Sequence, residues 1–306
     1  MNDEKIYYSL EKLNEEKKKI LNSKEYKLGN FLIKNVRLIK RLKFAKFFSN
    51  IKAHINKKII SKKYTIKVDS KTIINHLNYK NKRIAIYTCI IGDYDNIQLP
   101  LVDFPNVEYY LLIDDEKKYQ KYSNLYKIIL LNNDILRNGN IIANRYAKFH
   151  PREFFKDYDY SIYIDGNVRI VSDIRKYISY INEKTGIAMY NHRERDDIYQ
   201  EAKVCKLLGR GNSKYIDYQM DGYKREKFPK KYGMNEATII VSDINNRESQ
   251  RLLDEWFKEF KRSKSLRDQL AWPYILWKNK YIIDDVGSLG NNIFQDNKIE
   301  LVKHID

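Results

Sequence analysis

Apolar and polar positions change their rhythm twice along this chain. Residues 4–25 are rich in Glu and Lys, with Ile6, Leu10, Leu13, Ile20 and Leu21 between them. They predict a charged helix able to pair in a short coiled coil. Over residues 26–62 the apolar positions Leu28, Phe31, Leu32, Val36, Ile39, Leu42, Phe47, Ile51, Ile55 and Ile59 recur mostly at steps of three and four. That period predicts an amphipathic helix.

From Arg83 the texture becomes an alternation of strands and helices. Residues 83–91 predict a buried strand, closed by the turn Gly92-Asp93-Tyr94-Asp95. Residues 107–113 predict a second strand ending in Asp114-Asp115, residues 126–131 a third, and residues 161–164 a fourth. Residues 186–190 and 237–241 are further strands, and residues 143–156 and 174–181 predict helices. The clearest helix is 247–260, where Leu252, Leu253, Trp256, Phe257 and Phe260 share one face and Asn246 can cap the start. A last helix, 266–277, is expected to bend or break near Pro273. This alternation predicts an α/β fold with a mainly parallel sheet.

Charge sharpens the division. The chain has 306 residues, is 43% apolar and carries a formal charge of +18. Residues 1–83 hold 23 Lys/Arg against 7 Asp/Glu, a net of +16, leaving +2 for the rest. The expected organisation is a charged helix (1–25), a basic amphipathic arm and linker (26–82) and a folded domain (83–306). Acidic residues are absent from Tyr26 through Val68, where Lys34, Arg37, Lys40, Arg41, Lys43, Lys46, Lys52 and Lys57 stand among the apolar positions. A helix of one charge sign suits an anionic membrane surface. The plainer reading packs its apolar face on the domain and leaves the basic face in water. A nucleic-acid binder would spread basic residues through its fold, and the near-neutral domain counts against one.

Cys89 and Cys205 stand far apart without metal-ligand neighbours and read as buried free thiols in a reducing compartment. The start, Met1-Asn2-Asp3-Glu4-Lys5, has no apolar signal core, and no run reaches the roughly 18 apolar residues of a membrane span. The expected location is the cytoplasm, peripheral on the inner face of the membrane.

The most telling residues are Ile164-Asp165-Gly166-Asn167. An Asp released at a strand end beside Gly can reach a divalent cation and the diphosphate it holds. The alternative is a hairpin turn, since Asp-Gly leads into the strand-like Val168-Arg169-Ile170-Val171. Three other polar clusters also fall at strand ends: residues 92–95, Asp114-Asp115 and His192. Open α/β sheets bind ligands there, so their convergence predicts a nucleotide site. No Gly-rich dinucleotide fingerprint, P-loop or nucleophile elbow is present.

Several segments in order resemble a glycosyltransferase-like family shared by plant pectin- and mucilage-related proteins and bacterial surface-polysaccharide transferases. They are residues 83–95, Arg145-Tyr-Ala-Lys148-Phe-His150-Pro151, residues 161–167, residues 192–202, Gly233-Met-Asn235-Glu236 and Ser265-Leu-Arg267-Asp268-Gln269. The N-terminal string 22–29 is similar to segments preceding bacterial surface-glycan transferase domains. The resemblance spans about residues 83–280. It implies a GT-A-like fold, a Rossmann-type mostly parallel sheet flanked by helices. It also implies a nucleotide-sugar donor, Mn²⁺ or Mg²⁺ as cofactor, and a glycan or lipid-linked glycan acceptor.

Roles then follow from charge. Asp165 would hold the metal with help from Asn167. Arg145, Lys148 and Arg195 would face the phosphates, against the alternative of surface ion pairs. Thr88, Gly92, Tyr94, Asp95 and Gly166 complete the expected nucleotide-sugar contacts. His192 would be a metal ligand or sugar contact, against a capping role. Asp268, Glu236, Arg267 and Gln269 are the candidate catalytic set, against helix capping by Ser265 and Asp268. His304 is a candidate metal ligand from the C-terminus, where fraying is the alternative. A catalytically silent membrane scaffold remains the competing class; its support is Asn167, which stands where nucleotide-sugar transferases place the second Asp of an Asp-x-Asp motif.

Overall fold

The computed structural model describes residues 2–40, 43–65 and 79–303; His304, Arg41 and Leu42 lie outside them. Three helices open the chain: α1 (Asn2–Asn22), α2 (Lys24–Lys40) and α3 (Phe44–Tyr64). The domain follows with β1 (Ile84–Ile90), β2 (Val107–Ile113), α4 (Glu116–Tyr119), β3 (Lys127–Leu130), α5 (Asn133–Leu136), α6 (Asn140–Phe149) and α7 (Pro151–Phe155). Then come β4 (Tyr160–Ile164), β5 (Val168–Ile170), β6 (Ile187–Asn191), α8 (Ile198–Leu207) and α9 (Ser213–Arg225). The chain closes with β7 (Asn235–Asp243), α10 (Arg247–Ser263), α11 (Trp272–Lys278), β8 (Gly287–Ser288) and β9 (Ile299–Leu301).

Seven strands form one sheet in the order β3-β2-β1-β4-β7-β6-β8, and β5 pairs with β9 in a separate ribbon. β1, β2, β3 and β4 run parallel, as do β6 and β8; β7 alone is antiparallel to its neighbours β4 and β6. The expected mainly parallel α/β sheet is therefore present. After β1 the chain builds outward through β2 and β3, then crosses back to lay β4 on the other side. The carboxyl ends of β1 and β4 thus flank a topological switch point, where α/β sheets bind ligands. Because β7 runs the other way, its first residues, Asn235 and Glu236, also reach that end of the sheet.

Both faces of the sheet are covered, and every residue of β1 and β4 is buried. One face packs Tyr87, Phe149, Phe155, Met189, Trp256 and Trp272; the other packs Ile86, Leu111, Ile162, Ile178 and Val241. α10 shows how pattern becomes structure. Asn246 accepts the N–H groups of Glu248 (2.8 Å) and Ser249 (3.2 Å), and Leu252, Leu253, Trp256, Phe257 and Phe260 are buried. Each such side chain contributes roughly 1.5–3 kcal/mol on burial.

Four local expectations change. The helix expected over 143–156 is α6 and α7, broken at His150, because Pro151 lacks an N–H and opens the next helix. Pro273 likewise sits in the first turn of α11 and starts that helix instead of interrupting one. Residues Arg175–Tyr180 form a 3₁₀ helix, not an α-helix. The single helix expected over 26–62 is α2 and α3, folded so that the Phe31 ring lies 4.6 Å from His54. Two shorter helices can cover one another's apolar side chains, which one long helix cannot. α9 has no counterpart in the pattern reading; Asn212 caps it, and Ile216, Met220 and Tyr223 are buried.

α1 docks on the domain through a mostly polar stripe, with Tyr7 and Leu10 packed against the core. Asn14 is buried and donates from Nδ2 to the carbonyls of Asn297 and Ile299, both at 2.9 Å. Lys18 donates to Ile299 O (2.9 Å) and to Asp296 O, and Lys17 pairs with Glu300 at 2.6 Å. Glu11 accepts from Ser172 Oγ (2.7 Å) and Lys298 Nζ (2.9 Å), and the Tyr7 ring meets Phe104. Tyr7, Glu11, Asn14 and Lys18 follow helical steps of four, three and four, so they form one stripe. Ile6, Leu13 and Ile20 remain 50%, 63% and 63% exposed. Within this chain α1 docks on the domain, through the C-terminal segment and through Phe104 and Ser172.

Candidate active site

The loop after β1 is shaped by backbone geometry. Gly92 has φ +64°, and a Cβ there would lie 2.0 Å from Asn140 Nδ2. Its N–H donates to Asp114 Oδ2 at 2.8 Å, so the end of β2 steadies the turn. Asp93 also takes a positive φ, 62°, and pairs with Lys118. The turn delivers Tyr94 and Asp95 to the switch point. A Cβ on Gly166 would lie 3.2 Å from Asp95 Cβ and from Ile90, so the β1 and β4 loops meet there.

Asp165 leaves the sheet at the end of β4. Its N–H donates to Thr238 O (3.0 Å), and its carbonyl accepts from Val168 N (2.9 Å), which closes a turn. The following strand pairs with β9, not with β4, so the turn is real but no β4–β5 hairpin exists. The carboxylate is about a third exposed, at 32%.

Behind it lies a buried charge network. α6 carries Arg145 and Lys148 three residues apart, hence on one face. Lys148 is 2% exposed, with Nζ 3.4 Å from Asp165 Oδ1 and 3.3 Å from Asp268 Oδ2. Arg145 Nε stands 2.7 Å from the same Asp268 oxygen. Asp268 Oδ1 accepts the Gln269 N–H at 2.9 Å. Burial alone would raise the Asp268 pKa, but Arg145, Lys148 and Arg267 outweigh it and hold the group well below the ordinary carboxylate range.

A cleft of about 410 Å³ opens over this network. Tyr94, Asp95, Asn140, Asn144, Arg145, Tyr163, Asp165 and Gly166 line it from one side, Arg210 and Arg267 from the other. Of the expected residues, Tyr94, Asp95, Arg145, Asp165, Gly166 and Arg267 face this cleft. Lys148 and Asp268 sit beneath it, and Gly92 shapes its rim. Thr88 is buried within β1, and its hydroxyl makes no hydrogen bond among the described residues. Arg210, Asn140 and Asn144 were not foreseen. The signal for Arg210 was Gly209-Arg210-Gly211, two glycines with φ +65° and +75°. A Cβ on Gly211 would lie 2.5 Å from Ser265 O, so this turn packs on the loop that carries Arg267.

The remaining candidates gather at the ends of β6 and β7. His192 Nδ1 accepts the N–H groups of Glu194 (3.3 Å) and Arg195 (3.0 Å), the geometry of a capping histidine. Any ring proton then sits on Nε2, which lies 3.6 Å from both Glu201 and Glu236. Arg195 pairs with the buried Glu201 instead of lining the cleft. Burial disfavours the Glu201 charge, but His192 and Arg195 more than offset it and lower its pKa. Gln269 donates to Asn235 O (2.9 Å) and Trp272 Nε1 to Asn235 Oδ1 (3.0 Å), which fixes the start of β7. Glu236 is 19% exposed beside His192.

Residues 55–304 match the family described as TOD1/MUCI70, glycosyltransferase-like domain. The chain belongs to this family. Among its relatives is MUCI70 of Arabidopsis thaliana, described as a probable hexosyltransferase, 23% identical over 223 residues. That match covers 63% of this chain and 37% of MUCI70, so the chain spans little more than a third of the relative's length. Among solved structures, mouse xyloside xylosyltransferase 1 is 10% identical, with a TM-score of 0.43 over 72% of this chain and 96% of that one. The galactosyltransferase LgtC, solved with donor and acceptor sugar analogues, is 12% identical with a TM-score of 0.38, over 61% and 68% of the two chains. The sheet described above is the GT-A-like arrangement that the family resemblance implied.

GT-A-like transferases commonly use a divalent cation. Among the described residues no three His, Cys, Asp or Glu side chains form a metal cage. The switch point instead offers oxygen: the Asp165 carboxylate, Asp95 across Gly166, and the amide oxygen of Asn167, whose Nδ2 donates to Val302 O at 3.0 Å. Such a set fits a hard cation that takes the rest of its shell from diphosphate and water.

Proposed function

We propose that this chain is a glycosyltransferase that moves a sugar from a UDP-linked donor to a cell-surface glycan acceptor, such as capsule or lipopolysaccharide. The observation that carries the reading is the convergence of Arg145, Arg210, Arg267 and Asp165 on one cleft at the β1/β4 switch point. In sugar transfer, the acceptor oxygen bonds to the anomeric carbon while the bond to the β-phosphate oxygen breaks. The electron pair leaves with the diphosphate, so the site must stabilise growing negative charge. Arg145 and Arg267 bring guanidinium groups to that charge, and the buried Asp268 orients Arg145. A Mn²⁺ or Mg²⁺ ion held through Asp165 and Asn167 would add positive charge at the same diphosphate. Glu236, 3.6 Å from His192 Nε2 at the start of β7, is the proposed acceptor of the acceptor-hydroxyl proton. A screen of nucleotide-sugars for hydrolysis, with and without Mn²⁺, tests the assignment. Turnover of one donor supports it; no turnover and no binding of any donor favours the catalytically silent scaffold.

The basic arm serves location. Among the described residues no helix is long and apolar enough to cross a membrane. On α2 and α3, Leu28, Leu32, Ile33, Phe44 and Phe48 are exposed beside Lys34, Lys46 and Lys52. Exposed apolar side chains among lysines match an anionic bilayer, with rings in the interface and ammonium groups at phosphates. The inner face of a membrane, where lipid-linked acceptors are assembled, is the proposed site of action. Charge reversal of Lys34, Lys46 and Lys52 together should weaken binding to phosphatidylglycerol vesicles at least about a hundredfold, since each lysine contributes about 1 kcal/mol. Binding to neutral vesicles should stay weak in both proteins. Equal affinity of the triple variant and wild type for anionic vesicles would remove the arm's role.

A further inference from the structure

The contacts of α1 lead into the cleft. β5 and β9 are three residues each, and a two-stranded ribbon of that length is marginal in isolation. The ribbon pairs Val168 with Leu301 and Ile170 with Ile299. The Ile299 carbonyl is taken by Asn14 and Lys18 of α1, so α1 closes the outer edge of β9. One residue past β9, Val302 and Asn167 hold each other: Val302 N donates to Asn167 O at 2.8 Å, and Asn167 Nδ2 donates to Val302 O at 3.0 Å. Asn167 is two residues from Asp165, within the turn closed by Val168. The hydroxyls of Tyr177 and Tyr190 hold the Asp296 carboxylate, and α1 holds the stretch that follows it, with contacts from the Asp296 carbonyl to Glu300.

We infer that Asn14 is a positioning residue for the Asp165–Asn167 turn: by closing the free edge of β9 it fixes the segment that holds Asn167. α1 is then an integral wall of the transferase domain, not a spacer ahead of it. In this docking Tyr7 and Leu10 pack on the core, while the polar Asn14 and Lys18 satisfy backbone carbonyls at a strand edge. The consequence for nucleotide binding rests on the proposed transferase function; the consequence for the turn does not.

The test uses full-length Asn14→Leu, close in size but without a donor, with Lys18→Met as a second variant should the first fold poorly. Hydrogen exchange is read first, without nucleotide. The Val302 and Val168 amides should exchange at least about tenfold faster, while Ile162 and Tyr163 in β4 stay unchanged. UDP affinity with Mn²⁺ is then measured in wild-type and Asn167→Ala backgrounds. Asn14→Leu should raise the Kd about fivefold in the first and have no effect in the second, because the coupling runs through Asn167. Unchanged exchange at Val302, or equal losses of affinity in both backgrounds, would overturn the inference. If wild-type protein binds no UDP, the transferase reading falls while the exchange result still decides the role of Asn14.

Discussion

Replacing Asp165 by asparagine should lower sugar transfer by about 10²- to 10³-fold, with little loss of stability. The carboxylate stands at the end of a fully buried strand, yet a third of it is open to the cleft. It is the negative group nearest the charge network and the one placed to organise cation and diphosphate. Its loss leaves Lys148 still paired with Asp268, so no buried charge is stranded. Turnover on the identified donor and the melting temperature should be measured on the same preparation. Near-wild-type turnover in a folded variant would remove Asp165 from the site.

Asp268→Asn should behave differently and damage both stability and turnover. Asp268 is buried and does not line the cleft. Its Oδ2 is shared by Arg145 and Lys148, so losing the charge leaves two cations without their common partner. Breaking a buried pair in this way costs about 3 kcal/mol, equivalent to roughly 6–10 °C in a domain of this size. Arg145 then loses its fixed orientation toward the diphosphate, so UDP affinity should fall together with turnover. The pH dependence has a definite sign. A carboxylate with a depressed folded pKa contributes stability that is complete above its unfolded value, near 4, and is lost as pH falls through the lower folded value. Wild-type protein should therefore lose stability more steeply than Asp268→Asn as pH drops below about 4. Parallel acid unfolding curves, or a stable variant with intact UDP affinity, would assign Asp268 another role.

The Arg267-Asp268-Gln269 run shows where pattern reading stops. In sequence it looks like one polar set facing a sugar. In the fold, Asp268–Leu270 is a 3₁₀ turn, whose successive side chains point about 120° apart. Arg267 enters the cleft, Asp268 turns beneath Arg145, and Gln269 reaches back to Asn235. The strands β1, β2 and β4 and the helix α10 were readable because burial on both faces, or on one stripe, leaves a periodic trace. The docking of α1 was hidden for the opposite reason. Leu10 packs on the core, but Ile6, Leu13 and Ile20 face outward, and the docking hydrogen bonds come from groups that a hydrophobic pattern scores as solvent-facing. Arg210 was hidden because a loop residue between two glycines has no periodicity at all. The Asp165 turn was readable in kind, but only the pairing of β5 with β9 separates it from a hairpin.

Titration of UDP into the full-length protein with Mn²⁺ present is the most direct test of the central claim. The account predicts saturable binding with a dissociation constant on the order of 1–100 μM, strongly weakened by Asp165→Asn and by Arg267→Gln. Glu236→Gln should bind UDP as wild type does, because it acts on the acceptor. No binding of UDP or any other nucleoside diphosphate, or binding indifferent to both cleft substitutions, would contradict a nucleotide-sugar site at this switch point.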